Sequence, residues 1–257
     1  MGILNTTPDS FYDGGKLKDA TKVLQQTEKM LSAGAAFLDV GGYSSRPGAN
    51  DVSVDEELRR VVPTIELILT KFPQALISVD TFRSKIAKEA IAAGASMIND
   101  ISGGSLDAKM LSTVGALQVP YISMHLRGNP QNMMQLNDYK NVTKEVLFEC
   151  SQNIAKARSH GINDVIVDPG FGFAKNVAQN FELFNNLELF KALNCPLLVG
   201  VSRKSMIYKT LKTNPHEALN GTTALHSIAL LKGAQILRVH DVKEANEVVT
   251  LLENFKK

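Results

Sequence analysis

The sequence predicts an α/β fold: a single (β/α)8 barrel over residues 1–257, with long loops after its first and second strands. Two observations predict it. The first is an internal repeat, in which a helical pattern ends in Gly and an apolar run then ends in a polar residue. Copies are Ala33-Gly34 leading to Phe37-Leu38-Asp39, Ala93-Gly94 leading to Met97-Ile98-Asn99-Asp100, His160-Gly161 leading to Val165–Asp168, and Lys232-Gly233-Ala234 leading to Ile236–His240. Glycine past a helix end supplies a left-handed cap, and continuous apolar runs suit strands buried on both faces of a parallel sheet. The second is the count: eight strand–helix units over 257 residues, about 32 residues each, which matches a barrel of about 250 residues. Strand count alone does not prove closure, so an open doubly wound sheet is the alternative.

The elements follow in order. Strand 2–5 is followed by a helix at 18–33, where Val23, Leu24, Thr27, Met30 and Leu31 keep helical spacing. Strands at 37–41, 75–80, 97–101, 120–125, 165–168, 197–202 and 236–240 complete the set. Helical patterns fall at 54–71, 83–93, 106–115, 141–160, 177–192, 216–232 and 242–255, with Leu225, Ile228, Ala229 and Leu231 keeping helical spacing in 216–232. Two connections are long, Thr6 to about Leu17 and Tyr43 to about Ser53, both rich in Gly, Pro, Ser and Asp. Long loops in a compact domain are often functional. The chain opens almost inside its first strand, so a short lead-in segment is expected to be missing ahead of residue 1.

Composition excludes several classes. At 44% apolar and 21% charged residues the chain is globular, not disordered. A formal charge of +2 gives no electrostatic case for nucleic acid or an anionic membrane. No apolar stretch is long enough to span a bilayer, and the first twenty residues carry no secretory signal, so a cytoplasmic protein is expected. Cys150 and Cys195 have no CxxC pairing and read as small hydrophobes in a reducing compartment. There is no P-loop, no GxSxG elbow and no zinc spacing. His160, His216 and His226 read as surface or packing residues, and Met133-Met134 as gap-filling.

Function in a barrel gathers where strands end. Those ends carry Asn5, Asp39, Asp80, Asn99, His125, Asp168, Ser202-Arg203-Lys204, Arg238 and His240. One polar exit residue is most often a helix cap, but a polar residue at every exit is more than capping needs. Asp80, Asn99 and Asp168 suit a polar heterocycle with N–H edges. Arg46, Arg238 and His240 suit an oxyanion, and Asn5 a hard cation such as Mg2+. Phe171 and Phe173 read equally as rim packing or as the wall of an aromatic ligand site.

These strand ends resemble a known family. Gly2-Ile-Leu-Asn-Thr-Thr-Pro-Asp-Ser-Phe11 with Asp13-Gly14-Gly15 resembles the first signature of dihydropteroate synthases, and Asp39-Val-Gly-Gly-Tyr-Ser-Ser-Arg-Pro-Gly-Ala49 the second. Ser78–Thr81, Ile98–Ile101, Met124-His125, Asp168–Phe173, Gly200–Ser205 and Arg238–Val242 match in order along the whole chain. The resemblance implies a homodimeric, Mg2+-requiring barrel that joins p-aminobenzoate to 6-hydroxymethyl-7,8-dihydropterin diphosphate in folate biosynthesis and is a sulfonamide target. By resemblance, Asp80, Asn99, Asp168, Lys204 and Met124 are the pterin set. Ser45, Arg46, Arg238 and His240 are the diphosphate set. Ser202, Lys204, Phe173 and Pro47 are the aminobenzoate set, and Asn5 is the Mg2+ contact. Lys204, Asp80, Arg238 and His240 are then the residues expected to carry catalysis, by dissociative displacement of diphosphate.

The chain departs from the family pattern at Tyr43, usually Glu, at Ser45, usually Thr, and at Thr6, commonly Val. Two rival readings are a pterin-dependent methyltransferase, which needs no diphosphate site, and a non-catalytic pterin-binding barrel.

Overall fold

The computed structural model describes residues 1–6, 16–44 and 51–256. Each expected strand is present: β1 Gly2–Asn5, β2 Leu38–Gly41, β3 Ile77–Asp80, β4 Met97–Asp100, β5 Tyr121–Met124, β6 Val165–Asp168, β7 Leu198–Val199 and β8 Ile236–Leu237. β1 to β6 pair in sequence order, all parallel, and β7 pairs with β8. Two single bridges join the sheets, Val167 with Leu197 and Gly2 with Val239. At the second seam Val239 N–H donates to the Met1 carbonyl and Ile3 N–H to the Val239 carbonyl, both at 2.9 Å. The ladder therefore runs around a closed barrel, and the open-sheet alternative falls.

Helices α1 Lys16–Ser32, α2 Val54–Lys71, α3 Ser84–Ala92, α4 Met110–Leu117, α5 Val142–Ser159, α6 Val177–Asn185, α7 Ser205–Thr210, α8 Leu219–Leu231 and α9 Val242–Glu253 surround it. The repeat is what the glycine pattern implies: Gly94 and Gly233, each just past a helix end, both take φ of +106°. Three boundaries differ from expectation. The helix expected over 177–192 breaks at Asn186 into α6 and a 3-10 segment, Leu187–Leu193. A short helix, α7, follows β7 where none was expected. β7 and β8 hold two residues each, because the ladder ends once Arg238 N–H has reached the Val199 carbonyl and both chains turn into polar exits.

Strand side chains alternate between the outer helical layer and the barrel interior. Leu38, Val40, Ile77, Val79, Ile98, Val165, Val167 and Val199 face outward into the main core. Met97, Ile122, Ile166 and Leu198 pack inside with Met1, Phe37 and Ile236 as a plug. Two residues further along the same strands stand Asn99, Met124, Asp168, Gly200 and Arg238. The period of two thus sets a polar layer directly above the apolar floor. Among the described residues no helix is long and apolar enough to cross a membrane.

Candidate active site

Register aligns the polar layer: Asp80 pairs with Asn99 and Met124 with Asp168. Its centre is Arg238, at the exit of β8. Nε donates to Asp39 Oδ2 and Nη2 to Asp80 Oδ2, both at 2.6 Å, and Asn99 Nδ2 donates to the same Asp39 oxygen at 3.0 Å. Asp39 is fully buried, and its Oδ1 has no hydrogen-bond partner among the described residues. Burial works against the Arg238 cation, but Asp39 and Asp80 outweigh it and hold the guanidinium charged. Burial also pushes the Asp80 carboxyl up, Arg238 pulls it back, and the neighbouring carboxylates Asp39, Glu57 and Asp100 push the same way as burial. The result is a cation braced by two carboxylates that remain able to accept N–H donors from a ligand.

Beside it, Gly200 leaves a gap that three side chains border. A Cβ built there would lie 3.8 Å from Lys204 Nζ, 3.9 Å from Asp168 Oδ2 and 3.8 Å from the Arg238 Cβ. Asp168 Oδ1 accepts from Gly170 N–H at 2.8 Å, and burial raises its carboxyl against the pull of Lys204. Lys204 Nζ donates to the Phe171 carbonyl at 2.5 Å and lies 4.8 Å from the Phe173 ring centroid. Burial lowers its ammonium to about 8, with Asp168 opposing. Lys204 and Ser202 are set by Arg203, a non-glycine residue at φ +54°. That conformation costs about 1–3 kcal/mol and persists only when over-determined. Here Arg203 forks onto Asp241 at 2.7 and 2.8 Å and caps the Pro215 and His216 carbonyls. Ser202 Oγ meets His240 Nδ1 at 3.0 Å, joining the exits of β7 and β8.

The structure therefore brings together Asp80, Asn99 and Arg238, Asp168 with Lys204, Lys204 with Phe173, and Ser202 with His240. Met124 and Phe173 share one apolar cluster at the mouth with Ile101, Leu126, Met133 and Ala174. Phe171 is fully buried and stacks edge-on with Phe184 at 5.6 Å, so of the two phenylalanines only Phe173 is open to a ligand. Asn5 ends β1 opposite Gly41. Ser45, Arg46 and Pro47 lie outside the described residues, as does most of both long loops. Tyr43 is turned into packing: its hydroxyl accepts from Gln131 Nε2 at 2.9 Å and its ring meets Phe82 edge-on at 5.0 Å. His226 and Cys150 are buried and Met133 fills the core, while Met134 is exposed.

Two residues emerge that the strand-end reading left without a role. Asp39 was visible as a strand end, but its bracing of Arg238 was not. Lys175 had no signal of its own. It is buried, with Nζ 3.0 Å from each of His125 Nδ1, the Gly170 carbonyl and the Phe173 carbonyl.

The closed barrel thus carries at its mouth carboxylates and an amide set around a braced arginine, and its class is given by its family. The family model described as "Pterin binding enzyme" matches residues 1–240, and the chain belongs to that family. The particular relatives are dihydropteroate synthases. The Escherichia coli (strain K12) dihydropteroate synthase is 44% identical over 261 residues, covering 98% of this chain and 90% of the relative. The Yersinia pestis dihydropteroate synthase, solved as a sulfonamide drug complex, superposes at a TM-score of 0.92 with 40% identity over 99% of this chain and 93% of that one. The Xanthomonas albilineans enzyme with 4-aminobenzoic acid gives 0.92 and 38%, over 99% of this chain and 92% of its own.

Proposed function

We propose that this barrel is a dihydropteroate synthase, a transferase that joins p-aminobenzoate to 6-hydroxymethyl-7,8-dihydropterin diphosphate and releases diphosphate. The observation that carries the reading is the ring of Asp39, Asp80, Asn99 and Arg238, which sets pterin-type acceptors against an anion-binding cation in one layer. Asp80, Asn99 and Asp168 hold the ring's N–H edge. Arg238, a pre-set cation in a low-dielectric site, draws charge off the departing diphosphate, with His240 assigned beside it by family resemblance. The electron-rich dihydropterin then bears a cation at its exocyclic methylene, and the aniline nitrogen attacks it without needing a strong base. Phe173, Ser202 and Lys204 line the approach of the aminobenzoate, with Pro47 assigned to the same pocket and Ser45 and Arg46 to the diphosphate by family resemblance.

Mg2+ belongs to this reading as a charge neutraliser at the diphosphate. Among the described residues no cluster of three or more His, Cys, Asp or Glu could hold a metal alone. A hard oxygen donor such as Asn5, with the rest of the shell from water and substrate phosphate, is the sparse donor set Mg2+ accepts. A homodimer belongs to it too, by family resemblance; Leu231, Leu251 and Phe255, on the last two helices and the turn after them, are apolar side chains 66%, 65% and 81% exposed. Two unpaired cysteines fit a cytoplasmic setting.

The test is diphosphate release from the pterin diphosphate, with and without p-aminobenzoate. Release that depends on aminobenzoate is expected, and Arg238→Ala should lower kcat/KM by about 100-fold or more while the melting curve stays cooperative. No release from folded wild-type protein would favour a non-catalytic pterin-binding barrel.

A further inference from the structure

The loop that follows β6, residues 169–173, has its polar groups accounted for almost atom by atom. Gly170 N–H goes to Asp168 Oδ1 at 2.8 Å and Gly172 N–H to Asn180 Oδ1 at 2.7 Å. Phe173 N–H turns back to the Gly170 carbonyl at 3.1 Å. Two ammonium groups hold the carbonyls from opposite sides: Lys204 takes Phe171 O, while Lys175 takes Gly170 O and Phe173 O. Between Phe173 and Lys175 lies Ala174, a non-glycine residue at φ +49°, which turns the chain so that the aromatic ring and the lysine part company.

The third acceptor fixes the chemistry of Lys175. An ammonium has three N–H donors and a neutral amine two. Two carbonyls and His125 Nδ1 stand at 3.0 Å: as an ammonium Lys175 donates to all three, whereas a neutral amine would have to accept from an Nδ1–H, and burial pulls the lysine only to about 7 but the imidazole further, so the proton belongs on Lys175. His125 Nδ1 must then carry a lone pair, its proton sits on Nε2, and that N–H goes to Glu149 Oε2 at 2.8 Å. Burial, seconded by Lys175, pulls the imidazole down to about 4, so it stays neutral. Glu149 is itself held by Arg127, which also bonds Glu145 and covers the Tyr139 ring. An outer carboxylate thus fixes a histidine tautomer, the histidine fixes a lysine, and the lysine fixes a loop.

We infer that Lys175 is a positioning residue for aminobenzoate: through the Gly170 and Phe173 carbonyls it sets where the Phe173 ring stands beneath Lys204. This inference rests on the dihydropteroate synthase reading, since it takes Phe173 to be the aminobenzoate wall. Lys175 itself does not reach the mouth, being 2% exposed. Its charge reaches Asp168 only as a minor influence beside Lys204 and burial, so its effect should fall mainly on one substrate.

The experiment varies both substrates with Lys175→Met in the full chain. The KM for p-aminobenzoate should rise about tenfold while that for the pterin diphosphate changes less than about threefold. A variant that had merely lost stability would lower the active fraction and leave both KM values alone. In a Phe173→Leu background the same change should add little, because the two act through one contact. KM values that rise together, or an unchanged aminobenzoate KM, overturn the inference. Should Lys175→Met not fold, His125→Leu removes one acceptor and spares both loop carbonyls; it should raise the aminobenzoate KM by a smaller factor, and no rise would overturn the inference as well. One readout is independent of turnover. In protein labelled with 15N-lysine, Lys175 should give a slowly exchanging ammonium signal in the wild type, and a fast-exchanging or neutral amine refutes the clamp. Inactive wild-type protein that keeps this signal would instead defeat the functional reading and leave the clamp standing.

Discussion

Lys204 does two jobs with one nitrogen: it donates to the Phe171 carbonyl and stands over the Phe173 ring. The contact with the ring needs the ammonium, and the hydrogen bond is stronger with it. Burial lowers its pKa to about 8, so the charge is held at neutral pH and lost as pH rises through about 8. The expected pH profile of kcat/KM therefore has a falling alkaline limb near 8. Lys204→Arg, whose guanidinium stays charged, should be slower but should carry that limb to higher pH; an unmoved limb would assign it to another group. The same depression affects folding. Above about 8 the unfolded chain holds this proton more tightly than the folded one, so the lysine's penalty on stability is relieved as pH rises toward its ordinary value of 10.5. Asp39 and Lys175 mark how far single residues were legible. Asp39 stood out as an acid at a strand exit, but its partners Asn99 and Arg238 lie 60 and 199 residues away along the chain. No spacing rule reaches that far. Lys175 had no periodicity to betray it, because its environment is made by a loop and by the exit of β5.

Among elements, the turn after β6 is the most constrained. A Cβ added at Gly170 would lie 2.0 Å from the His125 carbonyl oxygen, a backbone atom that cannot swing aside, and φ there is +69°. Gly170→Ala is expected to cost about 2–4 kcal/mol, read from chemical denaturation, and to weaken aminobenzoate use in whatever folded fraction remains. A loss under about 0.5 kcal/mol would mean the turn relaxes freely. Strands and most helices were legible because period and glycine stops are local. The break at Asn186 and the early ends of β7 and β8 were not, since an apolar run such as Cys195–Val201 gives no sign of where its ladder bonds stop. Tyr43 is a third kind of case. The missing carboxylate was visible, but only the structure provides the replacement, a ring packed on Phe82 and hydrogen-bonded to Gln131.

Across the whole molecule, the barrel is unevenly stitched. β1 to β6 share continuous ladders, whereas β6 to β7 and β8 to β1 meet at one bridge each. Amide exchange should reflect this, with the amides of Val167, Leu198 and Val239 exchanging before those of Val79 and Ile122 in a native-state experiment. Equal protection all round would mean that packing on the helices, and not the ladder, governs opening. The eight-unit plan was readable because the repeat recurs at near-constant length. Closure was not, since it hangs on contacts between the first strand and the last. The shared grip on Arg238 carries a thermodynamic consequence. On the proposed assignment of Arg238 to the diphosphate, the ligand's draw on that guanidinium would strip Asp39 and Asp80 of part of their countercharge in a poorly solvated layer, and the least costly remedy is a proton from solvent. Ligand capture should then be accompanied by net proton uptake, so its calorimetric heat should depend on the ionisation enthalpy of the buffer. A heat indifferent to the buffer would mean that the two carboxylates stay ionised and that the incoming ring edge alone replaces what the arginine gives up.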